Sequence, residues 1–127
     1  MTILTLEQLL ELHALVIETS GGSAGLRDLG RLEAAIATQT QNVFGEELYP
    51  TIPDKAAALL RGIIADHAFV DGNKRTSMIA ALTLLELNEL HFEAKQGEIE
   101  NFAVQVATEH SDVPAIAAWL RTHSVQK

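Results

Sequence analysis

The sequence predicts an all-α fold: a single compact domain over residues 1–127, built as a helical bundle of about six helices around a central buried helix. Two observations predict it. Six segments repeat apolar residues at three- and four-residue spacing with start signals before most of them, and no linker, repeat or low-complexity stretch divides the chain.

Taken in order, Thr5 reads as an N-cap with Gln8 three residues on, and Leu6, Leu9, Leu10, His13, Val16 and Ile17 share a face of a helix running to about Ser20. Gly21-Gly22 stops it and opens a glycine-rich loop to Leu26. Asp28 then caps a second helix carrying Leu29, Leu32, Ala35 and Ile36, which fades near Gln39. Residues 41–52 lack a helical period and contain Gly45 and Pro50. They read as a long loop or small hairpin, with Val43-Phe44 and Leu48-Tyr49 as extended pieces.

Pro53 suits the first turn of a third helix, continued by Ala56, Leu59, Leu60, Ile63, Ile64 and His67 toward Ala68. Gly72 interrupts the pattern. From about Lys74 to Leu90 the residues Met78, Ala81, Leu82 and Leu85 belong to a segment apolar nearly all round, as a helix at the centre of a bundle should be. Two further helices span roughly Glu98 to Glu109 and Asp112 to Thr122. The last is expected to be capped by Ser111, with Pro114 in its first turn and Trp119 toward the core.

A chain of 127 residues, 47% of them hydrophobic, can bury a core without staples. It has no cysteine, which removes disulfides and thiolate metal sites and suits a reducing compartment. The amino terminus has no basic stretch ahead of an apolar one, and the longest apolar run, Met78 to Leu85, is far too short to span a bilayer. A cytoplasmic protein without a membrane partner is expected. Seventeen acidic against nine basic residues give a net charge of −8, which repels phosphate backbones and disfavours direct binding of nucleic acid.

The chemically loaded segment is His67-Ala68-Phe69-Val70-Asp71-Gly72-Asn73-Lys74-Arg75, between two buried helices. Gly72 with Asn73 leads into a helix whose free N–H groups and positive dipole end attract an anion. Lys74 and Arg75 oppose that dipole unless a polyphosphate neutralises them, and Asp71 offers Mg²⁺ a hard oxygen beside nucleotide phosphates. His67 has the side chain suited to a general base for a hydroxyl, since a histidine's unperturbed pKa is about 6.5. Phe69 is expected to point inward and fix the loop. Singly these signals are ordinary, because Asp-Gly-Asn is most often a turn and a helical histidine most often a core or cap residue. Their conjunction in nine positions is what points to a nucleotide enzyme.

His67-x-Phe69-x-Asp71-Gly72-Asn73-Lys74-Arg75 resembles the signature of the Fic superfamily in its Doc, or death-on-curing, form. The resemblance extends to Leu9–His13, Gly25-Leu26-Arg27-Asp28, Leu48-Tyr49-Pro50-Thr51 and Ile116-Ala117-x-Trp119-Leu120, so it covers essentially the whole chain. It implies that His67 takes a proton from a target hydroxyl, that Asp71 holds Mg²⁺, and that Gly72, Asn73 and Arg75 bind the phosphates of ATP. Lys74 stands where AMP-transferring members have a second glycine, and Doc-type members with lysine there are associated with reversed ATP placement and γ-phosphoryl transfer. Position 72 is glycine as in AMP-transferring members, whereas some Doc proteins have alanine.

The implied protein is a toxin kinase whose target is translation elongation factor Tu; the alternatives are a protein AMP transferase or a non-catalytic interaction module, and His67 with Asp71 counts against the module. The loop from Val43 to Pro50 aligns with the family's target-binding flap, with Phe44, Gly45 and Tyr49 as its residues of interest. No glutamate has Ser or Thr four positions before it, as a self-inhibiting helix would require. The resemblance therefore implies an external Phd-type antitoxin whose disordered tail folds as a helix in a groove. His13, on the apolar face of the first helix, reads better as a hydrogen-bonded core residue than as a ligand. Asp28 is sufficiently explained as an N-cap.

Overall fold

The computed structural model describes residues 1–127 and contains six helices: α1 (Leu6–Ser20), α2 (Leu29–Ala37), α3 (Ile52–Asp66), α4 (Asn73–Leu87), α5 (Glu98–Glu109) and α6 (Val113–Thr122). A short 3₁₀ turn, Thr38–Thr40, extends α2. Strands β1 (Asn42–Val43) and β2 (Glu46–Glu47) form one antiparallel hairpin, and β3 (Leu90–Phe92) pairs antiparallel with β4 (Ser124–Gln126).

The helix starts follow from side chains that satisfy orphan amides. Thr5 and Gln8 form a full capping box on α1, Asp28 caps α2 through the Arg31 N–H, and Thr51 caps α3 through the Asp54 N–H. For α6 the expected cap was Ser111. The structure uses Asp112, whose carboxylate accepts the Ala115 N–H at 2.9 Å. An acid one residue nearer the first turn reaches the N3 amide, which Ser111 does not.

One cluster of 24 buried apolar residues joins all six helices. The expected central helix was the fourth. In the structure α3 packs on α2, α4, α5 and α6, while α4 packs on α1, α3, α5 and β3. Nine of fifteen α3 residues are buried against seven of fifteen in α4, so α3 is the hub and α4 its principal neighbour. The physical reason lies in the α4 sequence. Its first turn carries Asn73, Lys74 and Arg75, and that end must reach solvent. Burying a side chain such as Leu59, Leu60 or Ile63 is worth about 1.5–3 kcal/mol each, which makes α3 the element the rest is built against.

Trp119 lies at the edge of this core, stacked on Phe102 with ring centroids 3.9 Å apart and 2° between planes. The β3–β4 pair was not expected. Three-residue strands are too short to show alternation, and their partners are more than thirty residues apart. The fourth helix ends at Leu87 rather than Leu90 because Leu90 enters β3.

Candidate active site

Helix α3 stops at Asp66 because His67 adopts a left-handed conformation, φ 46° and ψ 51°. A non-glycine residue there costs on the order of 1–2 kcal/mol. The turn leaves the His67 ring exposed, with no hydrogen bond from either nitrogen to the protein.

The chain after His67 is strapped in place by the glycine-rich loop between α1 and α2. Arg27 and Asp28 N–H both donate to the Ala68 carbonyl (2.7 and 3.0 Å), and Val70 N–H donates to the Gly25 carbonyl (3.0 Å). Leu26 and Phe69 form an antiparallel bridge between them. Phe69 is buried, at 1% exposure, and lies face to face on the His13 ring at 3.8 Å. His13 is buried, and its Nε2 is 2.8 Å from the Asp71 carbonyl oxygen, so a proton on Nε2 is donated to the loop.

The Asn73 side chain is used inside the loop. Its Oδ1 accepts the Phe69 N–H (3.1 Å) and its Nδ2 donates to the Phe69 carbonyl (3.0 Å). Its backbone N–H and the second Nδ2 hydrogen remain for a ligand. Gly72, with φ 78°, is the N-cap of α4 and contributes no capping side chain. The first amide to bond back is that of Thr76, to the Gly72 carbonyl, which leaves the N–H groups of Asn73, Lys74 and Arg75 unpartnered at the positive end of a fifteen-residue helix. Lys74 and Arg75 are exposed and take part in no ion pair.

Asp71 is the acid of the loop. Its Oδ2 accepts the Ser23 N–H (3.2 Å) and its Oδ1 the Gly72 N–H (2.8 Å). These two bonds, Ser23 first, hold the carboxyl below the usual aspartate range against a smaller opposing effect of desolvation. Gly22 is required for this approach, since a Cβ there would lie 2.7 Å from Asp71 Oδ2. Each carboxylate oxygen keeps a free lone pair, so Asp71 fits a divalent cation. No set of three His, Cys, Asp or Glu side chains gathers anywhere to complete a protein-only metal site, and the remaining ligands would be phosphate and water.

His67 and the run Val70–Arg75 line one cleft of about 350 Å³, walled by Val16, Ile64 and Ala107. The cleft thus collects the general-base candidate, the cation-ligand candidate and the four phosphate-binding candidates Gly72, Asn73, Lys74 and Arg75. Phe69 lies behind it. The flap candidates stand apart: Phe44, Gly45 and Tyr49 line no part of this cleft. Phe44 and Gly45 form the tip of the β1–β2 hairpin with φ 53° and 83°, and Phe44 is fully exposed. The extended pieces were expected at Val43-Phe44 and Leu48-Tyr49. The observed register, Val43 opposite Glu46, moves Phe44 into the turn and leaves Tyr49 beyond the strand.

Sequence reasoning missed the contributions of Ser23 and Gly22 to Asp71, which belong to a loop with no periodic signal. It also missed Lys55, a buried cation on α3 that the reading of its apolar face passed over.

Comparison with known proteins adds to this geometry. The family model described as Fic/DOC matches residues 3–85. The chain is 43% identical over 102 residues to a protein of Mycolicibacterium smegmatis named Toxin Doc, covering 79% of this chain and 78% of that one. It is 34% identical over 116 residues to the protein of Escherichia phage P1 named Protein kinase doc, covering 91% and 90%.

Proposed function

The chain belongs to the Fic/DOC family, and from that premise we propose that it is a toxin kinase that transfers the γ-phosphate of ATP to a Ser or Thr hydroxyl of a target protein. The proposed target is translation elongation factor Tu, which requires action in the cytoplasm, and the proposed restraint is a Phd-type antitoxin. One relative is named a toxin and the other a protein kinase, and both align along most of their length.

The observation that carries the reading is the joint presence, in one cleft, of an unpartnered His67 ring, an Asp71 carboxylate held by two backbone N–H groups and an uncapped helix end with two unpaired cations. Free amides of Asn73, Lys74 and Arg75 would take phosphate oxygens without reorganising, and the two cations would offset charge that builds on the bridging oxygen. Asp71 would hold Mg²⁺, which supplies charge neutralisation across the phosphates when bound. His67 accepts the proton of the target hydroxyl. The oxygen forms a bond to the γ-phosphorus, the bond from that phosphorus to the β,γ-bridging oxygen breaks, and ADP leaves with the electron pair.

Lys74 supports phosphoryl over AMP transfer through the resemblance alone, which associates lysine at this position with reversed ATP placement. The test is transfer of label to elongation factor Tu by the purified protein with Mg²⁺, comparing ATP labelled at the γ- and at the α-phosphate, with His67→Ala as control. Label from γ alone, lost in His67→Ala, is expected. Label from α would make the protein an AMP transferase, and no transfer from either would favour a non-catalytic module.

A further inference from the structure

Lys55 is 2% exposed, yet it carries an ammonium group that the cleft chemistry does not use. Its Nζ donates to the Gln39 carbonyl (2.6 Å) and to Glu47 Oε1 (2.8 Å). Gln39 is itself fully buried, with its side chain bonded to the Leu4 N–H, the Leu4 carbonyl and the Ile36 carbonyl. Lys55 thus joins a satisfied polar network inside the bundle to Glu47 on β2, whose side chain is 49% exposed.

No other side chain in residues 43–49 forms a hydrogen bond or ion pair, and residues 42–48 are all exposed. A two-residue strand pair has little stability of its own. The Lys55–Glu47 link is therefore the one side-chain polar bond that ties residues 43–49 to a helix. Stability alone does not account for the lysine, since a buried ion pair is commonly matched by apolar side chains of the same volume. Its effect is to fix a place, and what it fixes is a turn with a fully exposed aromatic, Phe44, in a left-handed conformation.

We propose that Lys55 is a positioning residue for the protein acceptor: through Glu47 it holds the 42–47 hairpin at the angle at which Phe44 and the unpaired strand edge meet an extended segment of the target. The proposal rests on the kinase reading above for the identity of the acceptor, and on the network for the strut itself. Strand addition makes such positioning matter, because main-chain bonds tolerate little misalignment.

The test uses the full chain with Lys55→Met, which keeps the buried volume, and Glu47→Ala, which cuts the same link from its half-exposed end and leaves the Lys55 ammonium bonded to the Gln39 carbonyl alone. Two readouts are taken. Backbone ¹⁵N relaxation should show residues 43–47 becoming mobile in both variants while α3 and α4 stay ordered. In the labelling assay the KM for elongation factor Tu should rise at least fivefold in both, with kcat and the KM for ATP within about twofold of wild type. Unchanged hairpin relaxation in both variants overturns the strut, as does a fall in kcat or a rise in the ATP KM that accompanies the acceptor effect. If Lys55→Met does not fold, Glu47→Ala decides alone. A wild-type protein that labels no acceptor sinks the kinase reading, and the relaxation data then decide the strut by themselves.

Discussion

The Nε2 of His13 lies 2.8 Å from the carbonyl oxygen of Asp71 while the same ring stacks on Phe69 at 3.8 Å, so one buried side chain of α1 holds both the apolar and the acidic residue of the loop. His13→Phe separates the two roles. Phenylalanine preserves the stack and removes the donor, leaving the Asp71 carbonyl short of a partner. The expected result is a loss of about 1–3 kcal/mol in unfolding free energy, read by denaturant titration, with a fall in phosphotransfer kcat that exceeds any change in the KM for ATP. Wild-type stability and kcat in this variant would show that the bond does not position the loop.

His67 is held at φ 46° with an exposed, unbonded ring. The left-handed conformation costs a residue with a Cβ more than it costs glycine. His67→Gly should therefore stabilise the fold by about 1 kcal/mol, raising Tm, while label transfer disappears. His67→Ala should abolish transfer without the gain in Tm. A glycine variant less stable than wild type would mean that the ring makes favourable contacts the geometry does not reveal.

How much of this was legible in the sequence depends on the range of each interaction. The capping box at Thr5–Gln8, the cap at Asp28 and the start of α3 at Thr51–Pro53 are local, and the expected helices fall within a few residues of the observed ones. The polar residues of the cleft were legible because they lie within one contiguous run, His67 to Arg75, whereas its walls at Val16, Ile64 and Ala107 come from three other stretches of the chain. What escaped is long-range. The bonds from the 21–28 strap to Ala68, Val70 and Asp71, the Lys55–Glu47 link and the β3–β4 pairing each join segments that share no periodic pattern. His13 is intermediate: its position on an apolar face marked it as a bonded core histidine, but nothing local said that its partner would be Asp71.

Thr76 Oγ1 is the one buried side-chain polar atom with no hydrogen-bond partner, and it sits one turn into α4. A hydroxyl stripped of water without a partner carries its full desolvation cost. Thr76→Val keeps the shape and removes that group, so a gain of about 1 kcal/mol or more in unfolding free energy is expected. A destabilised Thr76→Val would require that the hydroxyl bonds a water or a neighbour in solution.

Acid sensitivity should arise in part where α5 meets the end of α6. Glu98 accepts the Lys95 N–H at 2.6 Å and faces His123 Nε2 at 3.1 Å, and these bonds, Lys95 first, hold its carboxyl below the usual glutamate range. Because the folded value is lowered, the stabilisation is complete above the unfolded value of about 4.3 and is lost as pH falls through the folded one. Asp71 and Glu86, also lowered, act in the same direction. Wild-type Tm should thus drop between about pH 5 and pH 3. Glu98→Gln retains a carbonyl acceptor for Lys95 but removes the charge. It should melt below wild type at pH 6 and lose less on acidification, so that the gap in Tm narrows toward pH 3. A gap that stays constant across that range would assign the contribution of Glu98 to its hydrogen-bond geometry rather than to its ionisation.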